Sequence, residues 1–474
     1  MTRIKTLVTS LLMLSLLPLT GGIEAAFAQV TFVPPPTTSP NTIVRPKIPT
    51  PTFSVQITIP TKKKKQTAPA STKPKPVANR APVILDNIPL PKPRPLLSLG
   101  RPALLDAARM PNMIAVLVVK DPDTDPANTL AEDFDLSLVS RMHLAMFDAD
   151  LVMLRADKSQ IVDKLVALLS RDARVLGVQP DYLFELQQGS DNNTAKPSSL
   201  YELQYAPQKM AVASAHQISM GENTTIAVID TGVDLTHAEL NQSAFQSFDA
   251  IGLPVSNAEK HGTAIAGLIA ANTHMLGIAP SADFLAVRAF AQTENGKFTS
   301  DTFIIAKAID WAVAQNAQVL NMSFAGPSDP LIMKMMDMLA ETEIFVVAAA
   351  GNHGIGAPAA YPAAHPHTFA VTATDARDAL YSNANRGIYI DIAAPGVDVI
   401  APAPNNRYEL VTGTSIATAH LTGIIALMLS KNPDLTRDQI LTLLQQTSLD
   451  AGTPGQDPKF GLGLVNAFKI TNQL

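Results

Sequence analysis

Four polar side chains stand where a buried-looking apolar run meets a glycine turn. Asp230 closes TTIAVID and is followed by Gly232, and His261 opens HGTAIAGLIAA. Asn352 follows the apolar run IFVVAAAG, and Ser415 opens a second small-residue segment after Gly413 and Thr414. A serine hydroxyl becomes an acylating nucleophile when a neutral imidazole accepts its proton and a carboxylate fixes the imidazole tautomer. A serine at a helix start also turns its own backbone N–H, in the positive field of the helix, toward a developing oxyanion. Asn352 supplies a second donor. Each residue alone has an ordinary role: a turn aspartate, a surface histidine, a helix-capping serine. Together, in the order Asp, His, Asn, Ser and each in a glycine context, they point to hydrolysis through a serine nucleophile. Cysteine is absent, which excludes a thiol nucleophile, a disulfide framework and thiolate-held zinc or iron–sulfur clusters.

These residues need a scaffold, and the patterning predicts one. TTIAVID (224–230), QVLNMSF (318–324), IFVVAAAG (344–351), TFAVTAT (368–374) and IYIDIAA (388–394) read as strands. Helical runs over about 300–316 and 329–341 alternate with them. Continuous apolar strands alternating with helices predict an α/β fold, a parallel sheet flanked by helices on both faces. In such sheets sites form outside the carboxyl ends of the strands, which is where these polar residues fall. Upstream, residues 106–187 predict a small α+β module. MIAVLVV (113–119) is a strand, 159–170 a helix with Ser159 as its N-cap, and VLGVQPDYLFEL (175–186) a closing strand. The polar stretch 188–199 reads as a processing linker, leaving 200–474 as the domain that carries the chemistry.

The formal net charge of −5 conceals a split chain. Residues 31–105 hold 12 of the basic residues against one acid, Asp86, and 17 of the 37 prolines. Proline fixes φ and removes a donor, so this tract predicts an extended linker over 29–105 and no packed core. Before it, Arg3 and Lys5, a short apolar run from Leu7 to Leu19 and the A-x-A of Ala26–Ala28 predict a signal peptide over 1–28. The expectation is export to an extracellular or periplasmic compartment, without stable membrane insertion of the mature enzyme. Nucleic acid is not an expected partner, because no aromatics interleave the lysines.

The four motifs resemble those of the subtilisin-like serine peptidases (subtilases, peptidase family S8). Asp230 matches the aspartate of V-x-D-[ST]-G, His261 the histidine of H-G-T, Asn352 the oxyanion asparagine of A-A-G-N and Ser415 the nucleophile of G-T-S-x-A-[TS]. NMSFAG (321–326), GIAPSA (277–282) and FGLGLVNA (460–467) are further similarities. The resemblance implies a catalytic triad of Asp230, His261 and Ser415, with Asn352 in the oxyanion hole. It implies that substrate binds as a strand along Ser323, Phe324, Ala325 and Gly326. The pocket for the residue before the cut would be walled also by Ala349 and Gly351, with Ala360 near its floor. These residues are mostly small and all uncharged, so an apolar or medium-sized residue is expected there. The module at 106–187 resembles the family's inhibitory propeptide, an intramolecular partner whose end lies product-like in the site.

Three departures from the family pattern stand out. Ala264 replaces a frequent second histidine after H-G-T, and Ala419 replaces the proline before His420. ANTHMLGIAP (271–280) is short for the family's calcium loop. Glu239 in HAEL has the chemistry of a cation ligand, but no cofactor and no calcium site are predicted from one carboxylate. A monomer acting on protein or peptide substrates is expected. Two other readings remain open from sequence: a catalytically idle envelope-binding protein that keeps the fold, and another serine hydrolase such as an esterase. The absence of a G-x-S-x-G elbow weighs against the esterase.

Overall fold

The computed structural model describes residues 108–121, 124–187, 200–240, 245–252, 259–294 and 296–474. The expected signal peptide (1–28), the Pro/Lys-rich linker (29–105) and the processing stretch (188–199) lie outside the described residues. The first elements form an α+β module: β1 (Arg109–Val119), α1 (Pro126–Asp133), β2 (Ser137–Leu144), β3 (Ala149–Arg155), α2 (Val162–Leu169) and β4 (Val175–Leu186). Its strands pair antiparallel in the order β2-β3-β1-β4. Alternate residues of β1 and β3, among them Ile114, Val116, Val152 and Leu154, pack against Leu130 of α1 and Leu165 and Leu169 of α2. The expected cap at Ser159 is not formed. Ile161 occupies the N-cap position without a side-chain bond, while Ser159 closes a turn on the Asp157 carboxylate through Oγ (2.8 Å) and its backbone N–H (2.9 Å). Ser159 stands two residues too early, and the nearer carboxylate takes its hydroxyl.

The remaining elements are α3 (Tyr205–Lys209), α4 (Val212–Ala215), β5 (Thr225–Asp230), β6 (Phe245–Asp249), α5 (Lys260–Ala270), β7 (Asp283–Arg288), β8 (Ala291–Gln292), β9 (Phe298–Asp301), α6 (Thr302–Ala314), β10 (Val319–Met322), β11 (Phe324–Ala325), α7 (Pro330–Glu341), β12 (Phe345–Ala349), β13 (Thr368–Thr374), β14 (Ile392–Pro395), β15 (Val399–Ala403), β16 (Arg407–Val411), α8 (Thr414–Lys431), α9 (Arg437–Thr447) and α10 (Ala467–Thr471). Seven strands form a parallel sheet in the order β14-β13-β12-β10-β5-β7-β6. Successive side chains of a strand point to opposite faces. Ile226 and Val228 of β5 therefore join α5 and α8 in one core, while Ala227 and Ile229 join α6 and α7 in another. Both faces of the inner strands are covered, which is why β5, β10, β12 and β13 are largely apolar and buried rather than alternating, while the edge strand β6 (FQSFD) stays polar and partly exposed. The strand expected over 388–394 begins only at Ile392, because Ile390 turns back onto the Gly387 carbonyl and Ile388 is exposed.

Strand β4 belongs to two sheets. Its first part pairs with β1, and its end runs between two strands of the larger domain. There Leu183, Phe184 and Glu185 stand opposite Asp301, Ser300 and Thr299 of β9, and Leu186 and Glu185 opposite Phe324 and Ala325 of β11. The same strand covers the N-termini of α6 and α7, whose N-caps are Asp301 and Asp329. Buried Asp181 accepts the Thr302 N–H (3.2 Å), and the Thr302 hydroxyl donates to Asp329 (2.7 Å). Three carboxyl groups thus crowd one seam. Burial raises all three pKa values, and Asp301 and Asp329 add to the rise at Asp181, which reaches about 8.

Candidate active site

The four residues of the first motif set come from four places in the chain and converge at the carboxyl ends of the parallel strands. Asp230 is the last residue of β5, and His261 is the second residue of α5. Helix α5 approaches closely because residue 262 is glycine: a Cβ there would lie 2.6 Å from the Thr231 carbonyl oxygen. Ser415 is the second residue of α8, a helix buried from Thr414 to Leu429. Such a helix needs small and apolar residues on every side, which accounts for its all-round composition.

His261 Nδ1 lies 2.8 and 2.9 Å from the two oxygens of Asp230, and its Nε2 lies 3.0 Å from Ser415 Oγ. An ionised carboxylate only accepts, so Nδ1 carries the proton and Nε2 faces the serine as a bare acceptor. Asp230 is fully buried and also accepts the Thr231 N–H at 2.7 Å, which holds the carboxylate in one orientation. All three side chains are almost wholly removed from solvent.

Asn352 lies in the loop after β12. Its Oδ1 accepts from the Thr414 backbone N–H (3.1 Å) and hydroxyl (2.9 Å), fixing the amide plane. Its Nδ2 is buried and has no hydrogen-bond partner among the described residues. An unpaired buried donor is costly unless some state of the site uses it. The place it serves is identifiable from Gly413: a Cβ there would lie 3.2 Å from Asn352 Nδ2, 3.1 Å from Ser415 Oγ and 2.6 Å from the Gln187 carbonyl oxygen. These three atoms surround one small space. The first-turn amides of α8, Ser415 among them, have no intrahelical acceptor and face the same end.

Gln187, the residue after β4, fills this site. Its carbonyl oxygen is 2.6 Å from Ser415 Oγ, and its N–H donates to the Ser323 carbonyl at 3.3 Å. Its side chain is 3% exposed and accepts the Asn352 N–H through Oε1 at 2.9 Å. Ser323 is anchored beneath by its hydroxyl, which donates to Asn321 (2.8 Å) and to the Ser415 carbonyl (3.2 Å). Ala349 ends β12, and Ala360 lies against Gly351. Phe184 is fully buried, edge-on to Phe324 with centroids 5.8 Å apart, and it occupies the space that a side chain at Gly326 would take. Of the residues expected to bind substrate, Ser323, Phe324, Ala325 and Gly326 therefore lie against the end of β4. Sequence reasoning placed the end of the module in the site but missed the side-chain contact of Gln187 with Asn352, Thr414 as the anchor of Asn352, and Asn385. The last holds the loop by accepting the His353 N–H (2.8 Å) and donating its own N–H to Gly351 (2.9 Å). Thr414 was visible in G-T-S, whereas Asn385 carries no local signal.

Glu239 is not arranged to hold a cation. It is buried, and its carboxylate accepts the N–H groups of Thr273, His274 and Met275 and the Tyr408 hydroxyl, at 2.7–3.2 Å. A metal ion needs the same lone pairs. Among the described residues no group of three or more His, Asp or Glu is placed to ligate a metal. Also among them, no helix is long and apolar enough to cross a membrane.

A buried Asp–His–Ser line at the carboxyl ends of a parallel α/β sheet defines a serine hydrolase of subtilisin-like architecture. The subtilase family model matches residues 221–463. Subtilisin amylosacchariticus of Bacillus subtilis subsp. amylosacchariticus is 33% identical over 312 residues, covering 64% of this chain and 77% of that protein. Subtilisin of Bacillus pumilus is 36% identical over 254 residues, covering 52% of this chain and 90% of that one. The chain therefore belongs to the subtilase family and is a subtilisin-like serine endopeptidase. In fold it is similar to fervidolysin of Fervidobacterium pennivorans, a keratinolytic enzyme related to subtilisin, with a TM-score of 0.66 and 23% identity. That likeness covers 78% of this chain and 62% of fervidolysin.

Proposed function

We propose that this chain is the zymogen of an exported serine endopeptidase that cleaves exposed protein segments through an acyl-enzyme on Ser415. Ser415 Oγ attacks the scissile carbonyl carbon while His261 Nε2 takes its proton. His261 then delivers that proton to the leaving amine as the C–N bond breaks, and water releases the acyl group by the reverse exchange. Asp230 holds the imidazole and stabilises its charged form. The Ser415 N–H and Asn352 Nδ2 stabilise the oxyanion. The observation that carries this reading is the 3.0 Å contact of His261 Nε2 with Ser415 Oγ, backed by the double contact of Nδ1 with Asp230.

Residues 106–187 act as the propeptide. The 2.6 Å contact between Ser415 Oγ and the Gln187 carbonyl supports the Gln187–Gln188 bond as the one cut in self-maturation. The occupant of the cleft supports a protein or peptide substrate bound as an extended strand, since β4 is held there by backbone pairing. Release of the propeptide leaves a monomeric enzyme, and the leader-like segment 1–28 supports export. The saturated carboxylate of Glu239 supports an enzyme without calcium at that position.

The test is to express residues 29–474 as wild type and as Ser415→Ala and sequence the N-termini after purification. Wild type is expected to begin at Gln188, and Ser415→Ala to remain uncut. Processing of Ser415→Ala at the same bond would refute self-maturation. An uncut wild type that resists serine-acylating inhibitors and leaves casein intact would refute the protease reading.

A further inference from the structure

The occupant of the cleft is a substrate-like segment of known sequence, Phe184-Glu185-Leu186-Gln187, and two of its side chains meet polar partners of the enzyme. Gln187 is buried in the pocket before the cut, with its side-chain oxygen 2.9 Å from the Asn352 backbone nitrogen. A backbone N–H only donates, so the atom facing it must be an acceptor, and the amide orientation is fixed. The amide nitrogen of Gln187 turns back to the Glu185 carbonyl at 3.1 Å. Both ends of the amide are therefore satisfied inside the pocket. An apolar residue there would leave the Asn352 N–H without that partner. Two residues upstream, Glu185 Oε1 lies 2.9 Å from Lys297 Nζ, which reaches over from the β8–β9 hairpin.

Building on the protease reading above, we propose that this enzyme selects segments of the form Glu-x-Gln before the cut. The Asn352 main-chain N–H recognises glutamine and Lys297 recognises the acid. A single neutral hydrogen bond sets the glutamine preference over an apolar isostere at about 2–10-fold in kcat/KM. The Lys297 contact is two-thirds exposed on the lysine side, so its effect is smaller, about 2–5-fold at low salt, and it fades as salt rises.

The test uses the self-processed enzyme and three fluorogenic peptides ending Phe-Glu-Leu-Gln, Phe-Glu-Leu-Met and Phe-Lys-Leu-Gln, with casein as a general substrate. The paired variant Glu185→Lys/Lys297→Glu keeps the propeptide contact with reversed polarity, so that enzyme also matures. The inference expects Gln over Met, and Glu over Lys in wild type with the latter order reversed in the paired variant. If casein is degraded but Met is cut as fast as Gln, the glutamine preference is overturned while the protease reading stands. A Glu/Lys ratio that is the same in both enzymes overturns the role of Lys297. If neither peptides nor casein are cut, the protease reading itself falls.

Discussion

Propeptide release should be triggered by rising pH, and the seam between β4 and the first turns of α6 and α7 sets the direction. Asp181 of the proposed propeptide is buried near Asp301 and Asp329, and its pKa is raised from an ordinary carboxylate value to about 8, by burial first and then by these two neighbours. Arg141 of β2, Arg155 of β3 and Lys307 of α6 line the adjoining cavity, together with Asp181 and Asp301. Arg141 is already engaged by Asp125 and Asp150, and Lys307 by the Ala250 carbonyl. The sign follows from proton binding. Between about pH 4 and 8 the docked propeptide holds a proton at Asp181 that the released one does not. Docking is therefore strongest below that window and is lost as pH rises through it. If one group titrates alone, affinity falls up to about tenfold for each pH unit. Sharing of the proton with Asp301 spreads the change over a wider range.

The assay is the first-order activation rate after processing. Enzyme is held between pH 5 and 8, and active sites are counted in a common buffer at each time. Wild type should activate faster at each higher pH. Asp181→Asn keeps an acceptor for the Thr302 N–H and is always neutral, so its rate should be slow and nearly flat over the same range. A flat wild-type profile, or a steep profile that survives in Asp181→Asn, would refute the reasoning.

Four further outcomes are expected. Asn352→Ala removes the one oxyanion donor held by a side chain and should lower kcat by about 10²–10³ with little change in KM, as measured on a peptide substrate. Glu239→Ala strands three backbone N–H groups and a tyrosine hydroxyl, and should cost at least 1–3 kcal/mol in denaturant unfolding of the Ser415→Ala chain. A chelator should leave the melting temperature of the unmutated Glu239 protein in place. His420, whose Nδ1–H donates to the Pro395 carbonyl at 2.8 Å, is wholly buried and its pKa falls to about 4, so the folded state resists a proton that the unfolded chain accepts. Stability should decline as pH falls from about 6.5 to 4, and His420→Leu should flatten that decline in thermal melts.

The parallel strands β5, β10, β12 and β13 were legible because burial on both faces writes itself as apolar runs, and the strand read over 368–374 coincides with β13, whereas β6 and β7 and the order of the strands were not read from the sequence. Helices α6 and α7 were legible as runs over about 300–316 and 329–341, while their aspartate caps, Asp301 and Asp329, were not read from the sequence. Asp230, His261 and Ser415, which the structure brings into contact, were legible through their neighbours, since glycine and small residues must surround a side chain delivered at a close crossing of strand and helix. What stayed hidden has no local pattern. Ser159 looks like a cap, but its competition with Asp157 is decided by two residues of offset. Asp181 and Gln179 look like ordinary strand polar residues. Only the pairing of β4 with another part of the chain brings Asp181 to Thr302, and Gln179 to the Leu331 N–H at 2.9 Å. The role of Gln187 depends on residues more than a hundred positions away, which no window of sequence contains.

If residues 106–187 act as the proposed propeptide, the two-sheet strand explains how that module also fixes the register of the cut. In the module, β4 is locked to β1 by pairs from Ile114↔Pro180 to Val118↔Val175, with a register shift near each end of the ladder. In the cleft the same strand is locked to β9 and β11. A slip of one residue away from the site would place Gln188 at Ser415 and move Glu185 into the space between Phe324 and Gly326. It would bury a carboxylate against the Phe324 ring and expose Phe184, whose burial is worth about 1.5–3 kcal/mol. A slip the other way would bring Leu183 to that space and deprive the Asn352 N–H of its acceptor. Both sheets would also lose their facing, because neighbouring residues of a strand point to opposite sides. The bond presented to Ser415 is therefore set by the fold of the module and by the side chains of its last four residues together. That is why lengthening β4 by one residue between Pro180 and Leu183 should move the maturation cut along the sequence or abolish it, rather than leave it after Gln187.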